Sequence, residues 1–174
     1  MSLPRVLSLI ESGEVVAEPV PELETLRGAR REQSLELAAG QTVPLREITG
    51  ECLELSVEIQ SAGAVALLLR RSPDGEEETA VRWNPTAGTV TLDLERSSLD
   101  EAVTRCVYAA PVHVAPGEPL RLRVFADRSI VEVFAQGQVC LTGRLYPTRE
   151  DCTGVAVESQ GSAQVKVEGW EISL

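Results

Sequence analysis

The chain is 174 residues long, 43% hydrophobic and 25% charged, which is enough for one domain around a proper core. Its formal net charge of −11 repels phosphate backbones and argues against a nucleic-acid partner, and no stretch of about 18 apolar residues exists to cross a membrane as a helix. Aromatic residues make up 3%, two each of Trp, Tyr and Phe, so the core must be built from Val, Leu, Ile and Ala.

Residues 1–32 differ from the rest. Leu3 to Leu9 can pair as an edge strand, and Ser12-Gly13 reads as a turn. Pro19, Pro21 and the acidic stretch from Glu22 to Arg27 then suggest an extended segment with one helical turn, where Pro21 is tolerated. We read this region as a strap or linker, leading into a second unit over 33–174. From Ser34 onward the period-two alternation predicts strands near 34–38, 52–60, 64–71, 77–83, 88–94, 105–109, 119–126, 130–135, 139–146, 154–159 and 163–172. Turns are signalled by Pro73-Asp74-Gly75, by Asn84 to Gly88, by Pro116-Gly117 and by Gln160-Gly161. Gly75-Glu76-Glu77-Glu78 reads as a solvated hairpin tip, since no loop places oxygen ligands as a calcium hand does. Arg96 to Val103 is a polar loop. Many short strands without a helical period predict an all-β fold: a two-sheet antiparallel β-sandwich, jelly-roll or concanavalin-like, of about ten to twelve strands.

The run Leu120 to Pro147 is the most informative. A three-residue loop Ala135-Gln136-Gly137, with Gly in the left-handed position, would pair Val133 with Val139 and Val131 with Leu141. That register places Val131, Val133, Val139, Leu141 and Leu145 on one face with Leu122 and Val124, facing a second sheet. The opposite face carries Phe125, Ile130, Glu132, Phe134, Cys140, Arg144 and Tyr146, too apolar for open solvent yet holding a carboxylate and a guanidinium. Either a loop covers it, with Glu132 paired to Arg144, or Phe125, Ile130, Glu132, Phe134, Arg144 and Tyr146 form an interface with another domain.

The order Asp127, Ser129, Val131-Glu132-Val133-Phe134, Gly137 and Arg144-x-Tyr146-Pro147 resembles the C-terminal β-sandwich module of glycoside hydrolase family 32, the invertases, levanases and inulinases. The strip from Leu3 to Arg27 is similar to the segment where such chains leave their catalytic propeller. Val165-x-Val167-x-x-Trp170-Glu171-Ile172 resembles their closing strand. The resemblance implies a parent enzyme with an N-terminal five-bladed propeller, whose two carboxylates hydrolyse β-fructosyl bonds with retention. It also implies that this chain is the accessory module, with the propeller as partner; self-association and fructan are further partners to weigh.

The family's catalytic motifs are absent. Glu51-Cys52 opens an alternating strand, Trp83-Asn84-Pro85 lacks the nucleophilic Asp and makes a hairpin turn, and Ser72-Pro73-Asp74-Gly75 is a turn by its residues. His113, the single histidine, has no nucleophile or metal spacing around it and reads as an edge-strand surface residue. Cys52, Cys106, Cys140 and Cys152 lack metal spacing and read as buried free thiols. No cofactor or metal is implied, and no catalytic residue is assigned. The rival reading is a lectin-like fructan-binding module, for which Trp83, Tyr108 and Trp170 are the aromatic candidates. A third is an interaction domain unrelated to sugar.

Overall fold

A computed structural model describes residues 3–9, 13 and 15–173; Ser12 of the expected first turn lies outside them. The strap opens with two short strands, β1 (Arg5–Leu9) and β2 (Val15–Pro19), followed by a 3-10 helix at Pro21–Leu26. Pro21 sits in the first turn of that helix, where its missing N–H costs nothing. Twelve strands then form the sandwich: β3 (Arg27–Leu37), β4 (Gln41–Pro44), β5 (Cys52–Ser61), β6 (Val65–Arg71), β7 (Thr79–Asn84), β8 (Thr89–Asp93), β9 (Val107–Pro111), β10 (Leu120–Asp127), β11 (Ile130–Ala135), β12 (Val139–Arg144), β13 (Gly154–Ser159) and β14 (Ala163–Ile172).

These strands make two six-stranded antiparallel sheets, ordered β12-β11-β10-β5-β14-β3 and β4-β13-β6-β7-β8-β9. The all-β sandwich expected from alternation is therefore the fold. Alternation also sets the core: Leu55, Val57 and Ile59 of β5 and Val165 and Val167 of β14 face Val65, Leu67 and Leu69 of β6 and Val90 and Leu92 of β8. A one-residue slip in any of these strands would turn its whole apolar set to solvent, so the buried face fixes the register. The sheet edges are blunted in two ways. β3 carries Arg27, Arg30, Arg31 and Glu32, and β9 ends in Pro111, which has no N–H for a further neighbour. The first sandwich strand and the last lie side by side, with Arg27 and Ile172 as register partners.

Every strand expected after Ser34 is present. The reading missed β2 and β4, short strands whose residues barely alternate. The hairpin register is two residues away from the expected one. Ala135 pairs with Val139, Val133 with Leu141 and Val131 with Gly143. Gln136 (φ 53°) and Gly137 (φ 67°) both take left-handed backbone, and the Gln138 N–H closes on the Ala135 carbonyl at 2.9 Å, so Ala135 belongs to β11. A distant tether favours this turn: the Gln138 side chain accepts from the His113 N–H at 2.8 Å and donates to the His113 carbonyl at 2.9 Å. A shift of two preserves the faces, so Val131, Val133, Leu122, Val124 and Leu145 do enter the core, with Val139 and Leu141 packed against it.

Candidate functional site

Across the outer face of the first sheet runs a row of register partners: Trp170 of β14, Glu54 of β5, Phe125 of β10, Glu132 of β11 and Thr142 of β12. Aromatic rings alternate with carboxylates, and apart from Thr142 the row is buried. A carboxylate survives such burial only with charged and hydrogen-bonded partners. Glu54 receives Arg27 through two bonds, Nε to Oε2 at 2.9 Å and Nη2 to Oε1 at 2.7 Å, and Arg123 Nε at 2.6 Å. The Arg27 guanidinium lies 4.2 Å above the Trp170 ring, adding a cation–π contact. Glu132 receives the Leu3 N–H at 2.6 Å and Arg5 Nη2 at 2.9 Å. Arg5 also sits 5.4 Å from the centre of Phe134, whose ring meets Phe125 edge-on at 6.2 Å.

The cover over this row is thus the chain's own N-terminal segment. β1 supplies Arg5, the segment ahead of it Leu3, and the first residue of β3 Arg27. The hairpin of β1 and β2 is also fixed at its other edge, where the Ala17 N–H bonds to the Gly137 carbonyl at 3.1 Å. A Cβ on Gly137 would lie 2.6 Å from Val16 Cγ1, so glycine lets the strap seat there as well as permitting the turn. The hairpin leaves aliphatic side chains uncovered: Leu7 is 69% exposed and Leu9 73%, with Val15 paired to Leu9 beside them.

A third buried carboxylate, between β6 and β7, ties loops together. Glu77 is fully buried. Its oxygens accept from the Leu99 N–H (2.7 Å), the Thr148 N–H (2.9 Å), the Thr148 hydroxyl (2.7 Å), the Arg149 N–H (3.0 Å) and the Cys152 thiol (3.0 Å). Burial raises the pKa of such a group, yet the donors from Thr148, Cys152 and Leu99 outweigh it and hold the carboxyl at about 2. The Cys152 thiol responds in the opposite sense, pushed up to about 12 by burial and by the bond to Glu77. Glu78, next in line, pairs with Arg71 at 3.0 Å and Arg96 at 2.8 Å. The expected solvated tip is therefore corrected: Glu76 is exposed, while Glu77 and Glu78 are anchors.

A groove of about 590 Å³ opens along the side of the sandwich where β12 approaches β9. Its lining includes Val103, Thr104, Tyr108, Thr142, Arg144 and Tyr146. Gly143 forms part of the floor, where a Cβ would come within 2.9 Å of Leu94 Cδ1.

A family model described as glycosyl hydrolases family 32 C terminal matches residues 22–172. The chain belongs to that family. Sucrose-6-phosphate hydrolase of Staphylococcus xylosus is 31% identical over 166 residues, covering 92% of this chain and 32% of that protein. An acid beta-fructofuranosidase of Vicia faba is 40% identical over 89 residues, 47% of this chain and 14% of its own length. Fructan 1-exohydrolase IIa of Cichorium intybus superimposes with a TM-score of 0.88 over 99% of this chain and 41% of its own, at 22% identity. The chain spans less than half the length of each of these proteins. The resemblance read in Asp127 to Pro147 is correct, and this is a family 32 C-terminal sandwich.

Within this family 32 module the residues singled out in the sequence separate into three places. Phe125, Glu132 and Phe134 lie buried in the row and its cover, and Ile130 is half-buried at the end of β11. Glu132 pairs with Arg5, not with Arg144 as expected; the strap reaches the carboxylate first. Arg144 instead lies 5.3 Å over the Tyr146 ring, in the groove. Trp83 is a core residue and Trp170 lies under Arg27, so of the three aromatic candidates Tyr108 alone is exposed. The four cysteines are free, as expected, but Cys152 alone is fully buried while the other three are half-buried. Glu51 meets Arg70 at 3.1 Å at the start of β5, and Asn84 closes its turn by accepting the Thr86 and Ala87 N–H groups at 3.1 and 3.0 Å. His113 is exposed but lies just past β9, in a loop. Sequence reasoning missed Arg5, Arg27, Arg123, Thr148 and Arg149, whose roles exist only through contacts across the fold.

Proposed function

We propose that this chain is the non-catalytic C-terminal sandwich of a glycoside hydrolase acting on β-fructosides such as sucrose or levan, and that it holds and stabilises the propeller preceding it. The observation that carries the reading is a strap that is both tied down and exposed. It is held to the sandwich through Arg5, Leu3 and Ala17, yet it leaves Leu7, Leu9 and Val15 open to another surface. Aliphatic side chains so exposed are typical of a surface awaiting a partner. On this reading Phe125, Glu132 and Phe134 act in docking by seating the strap, and Ile130 flanks it. The family motifs that supply catalytic carboxylates are missing from the sequence, which supports assigning the chemistry to the propeller.

Two measurements test this. The purified chain should not turn over sucrose, inulin or levan; activity that follows the protein through purification would refute the non-catalytic reading. Added to the separately produced propeller of the parent polypeptide, the chain should raise that propeller's Tm. The Leu7→Asp/Leu9→Asp variant should lose the effect. An unchanged shift with that variant, or none with the parent sequence, would refute docking through the strap.

A further inference from the structure

Two exposed apolar regions among the described residues differ in chemistry. The strap hairpin presents Leu and Val alone. The groove beside β12 presents Tyr108 and Tyr146, 41% and 45% exposed, whereas Trp83, Trp170, Phe125 and Phe134 are all buried. Arg144 lines the same groove, its guanidinium 5.3 Å from the centre of Tyr146. It makes no ion pair or hydrogen bond to the described residues. Thr104 and Thr142 add hydroxyls, and Val103 and Gly143 leave an apolar floor. Among the described residues no carboxylate lines this groove, although the chain as a whole is strongly negative. Its volume of about 590 Å³ lies within the range of small-molecule clefts, about 300–1,000 Å³.

We propose that this groove binds a neutral oligosaccharide of the fructan class. The aromatic faces suit the C–H-rich side of a sugar ring. A free guanidinium beside them donates two parallel bonds to neighbouring hydroxyls. The absence of carboxylates removes a competitor for Arg144, and the sparse positive charge gives no strong reason to hold an anion. A protein partner would favour the dry aliphatic surface of the strap. The choice of fructan rests on the function proposed above; the site itself rests on the groove. β12 (Val139–Arg144) adjoins both places, for Thr142 bonds to Glu132 and Arg5 under the strap and also borders the groove.

The test is calorimetric titration of the chain with inulin and levan oligosaccharides, and with maltotriose as control, beside the variants Tyr146→Ala, Tyr108→Ala and Arg144→Ala. All three residues lie at the surface, so their circular dichroism and Tm should match the parent. Binding of both fructans is expected, weakened at least tenfold by Tyr146→Ala and Arg144→Ala and partly retained by Tyr146→Phe. No heat from either fructan, equal binding of maltotriose, or undiminished binding by both alanine variants would overturn the proposal. The Leu7→Asp/Leu9→Asp variant should bind sugar normally. A parent chain that binds fructan but does not raise the propeller's Tm would therefore refute docking alone, and one that raises the Tm but binds no fructan would refute the groove alone.

Discussion

Replacing Glu77 by Gln keeps the shape of the side chain and removes its charge. In the native fold the carboxylate faces three backbone N–H groups, a hydroxyl and a thiol, so an amide NH₂ in place of one oxygen would point a donor at donors. Holding the carboxyl at about 2, against an ordinary 4.5, corresponds to roughly 3 kcal/mol favouring the folded state at neutral pH. Because the folded value is depressed, that contribution is complete above pH 4.5 and is lost as pH falls through 2. Urea unfolding at pH 7 should therefore place Glu77→Gln about 3 kcal/mol below the parent, with the slope m unchanged. Near pH 2.5 the gap should shrink to on the order of 1 kcal/mol, since most of the linkage has gone. A deficit at pH 7 below about 0.5 kcal/mol, well under the cost of an unsatisfied buried group, would refute the reasoning. So would a deficit that is the same at both pH values.

Two further outcomes follow from the same contacts. In the native protein at pH 8, Cys152 should be the slowest of the four thiols to alkylate, because its pKa is pushed up to about 12 and it is buried; peptide mass spectrometry would read this, and labelling of Cys152 as fast as Cys106 would contradict it. Gly137→Ala should cost about 1–2 kcal/mol, from the left-handed backbone at φ 67° and a clash at 2.6 Å with Val16. The same variant should speed proteolysis within the strap, and an unchanged digestion pattern would separate the turn from the strap's seating.

The fold was legible because strand burial is written in a local code. Leu53, Leu55, Val57 and Ile59 alternate with Glu54, Ser56 and Glu58 along β5, and that alternation holds whatever the neighbours are. The motif around Glu132 likewise announced the family from consecutive residues. Partner choice is different, since it depends on chain segments far apart. Arg5 and Glu132 are separated by 127 positions, and Glu77 meets Thr148 across 71. A run of three glutamates therefore reads as a wet tip until the loop carrying Thr148 and Cys152 is brought over it. The hairpin register failed for a related reason. Its turn is set by a bond from Gln138 to the backbone at His113, which no local rule for Gly-containing turns contains. The groove was half visible, for Tyr108 was singled out as a sugar candidate and Tyr146 as an interface residue, and only the approach of β12 to β9 unites them.

The pairing of Arg27 with Ile172 has a mechanical meaning. The sandwich begins and finishes on adjacent strands, at points roughly 5 Å apart across the ladder. Tension applied through those two points would open the β3–β14 ladder one rung at a time, the weak direction for an antiparallel pair, before reaching the rest of the sheet. The first rungs to part hold Arg27, the residue that seats Glu54 and covers Trp170. A pull on the strap would thus be felt first at a buried carboxylate, which makes the outer row a fuse as well as a seat.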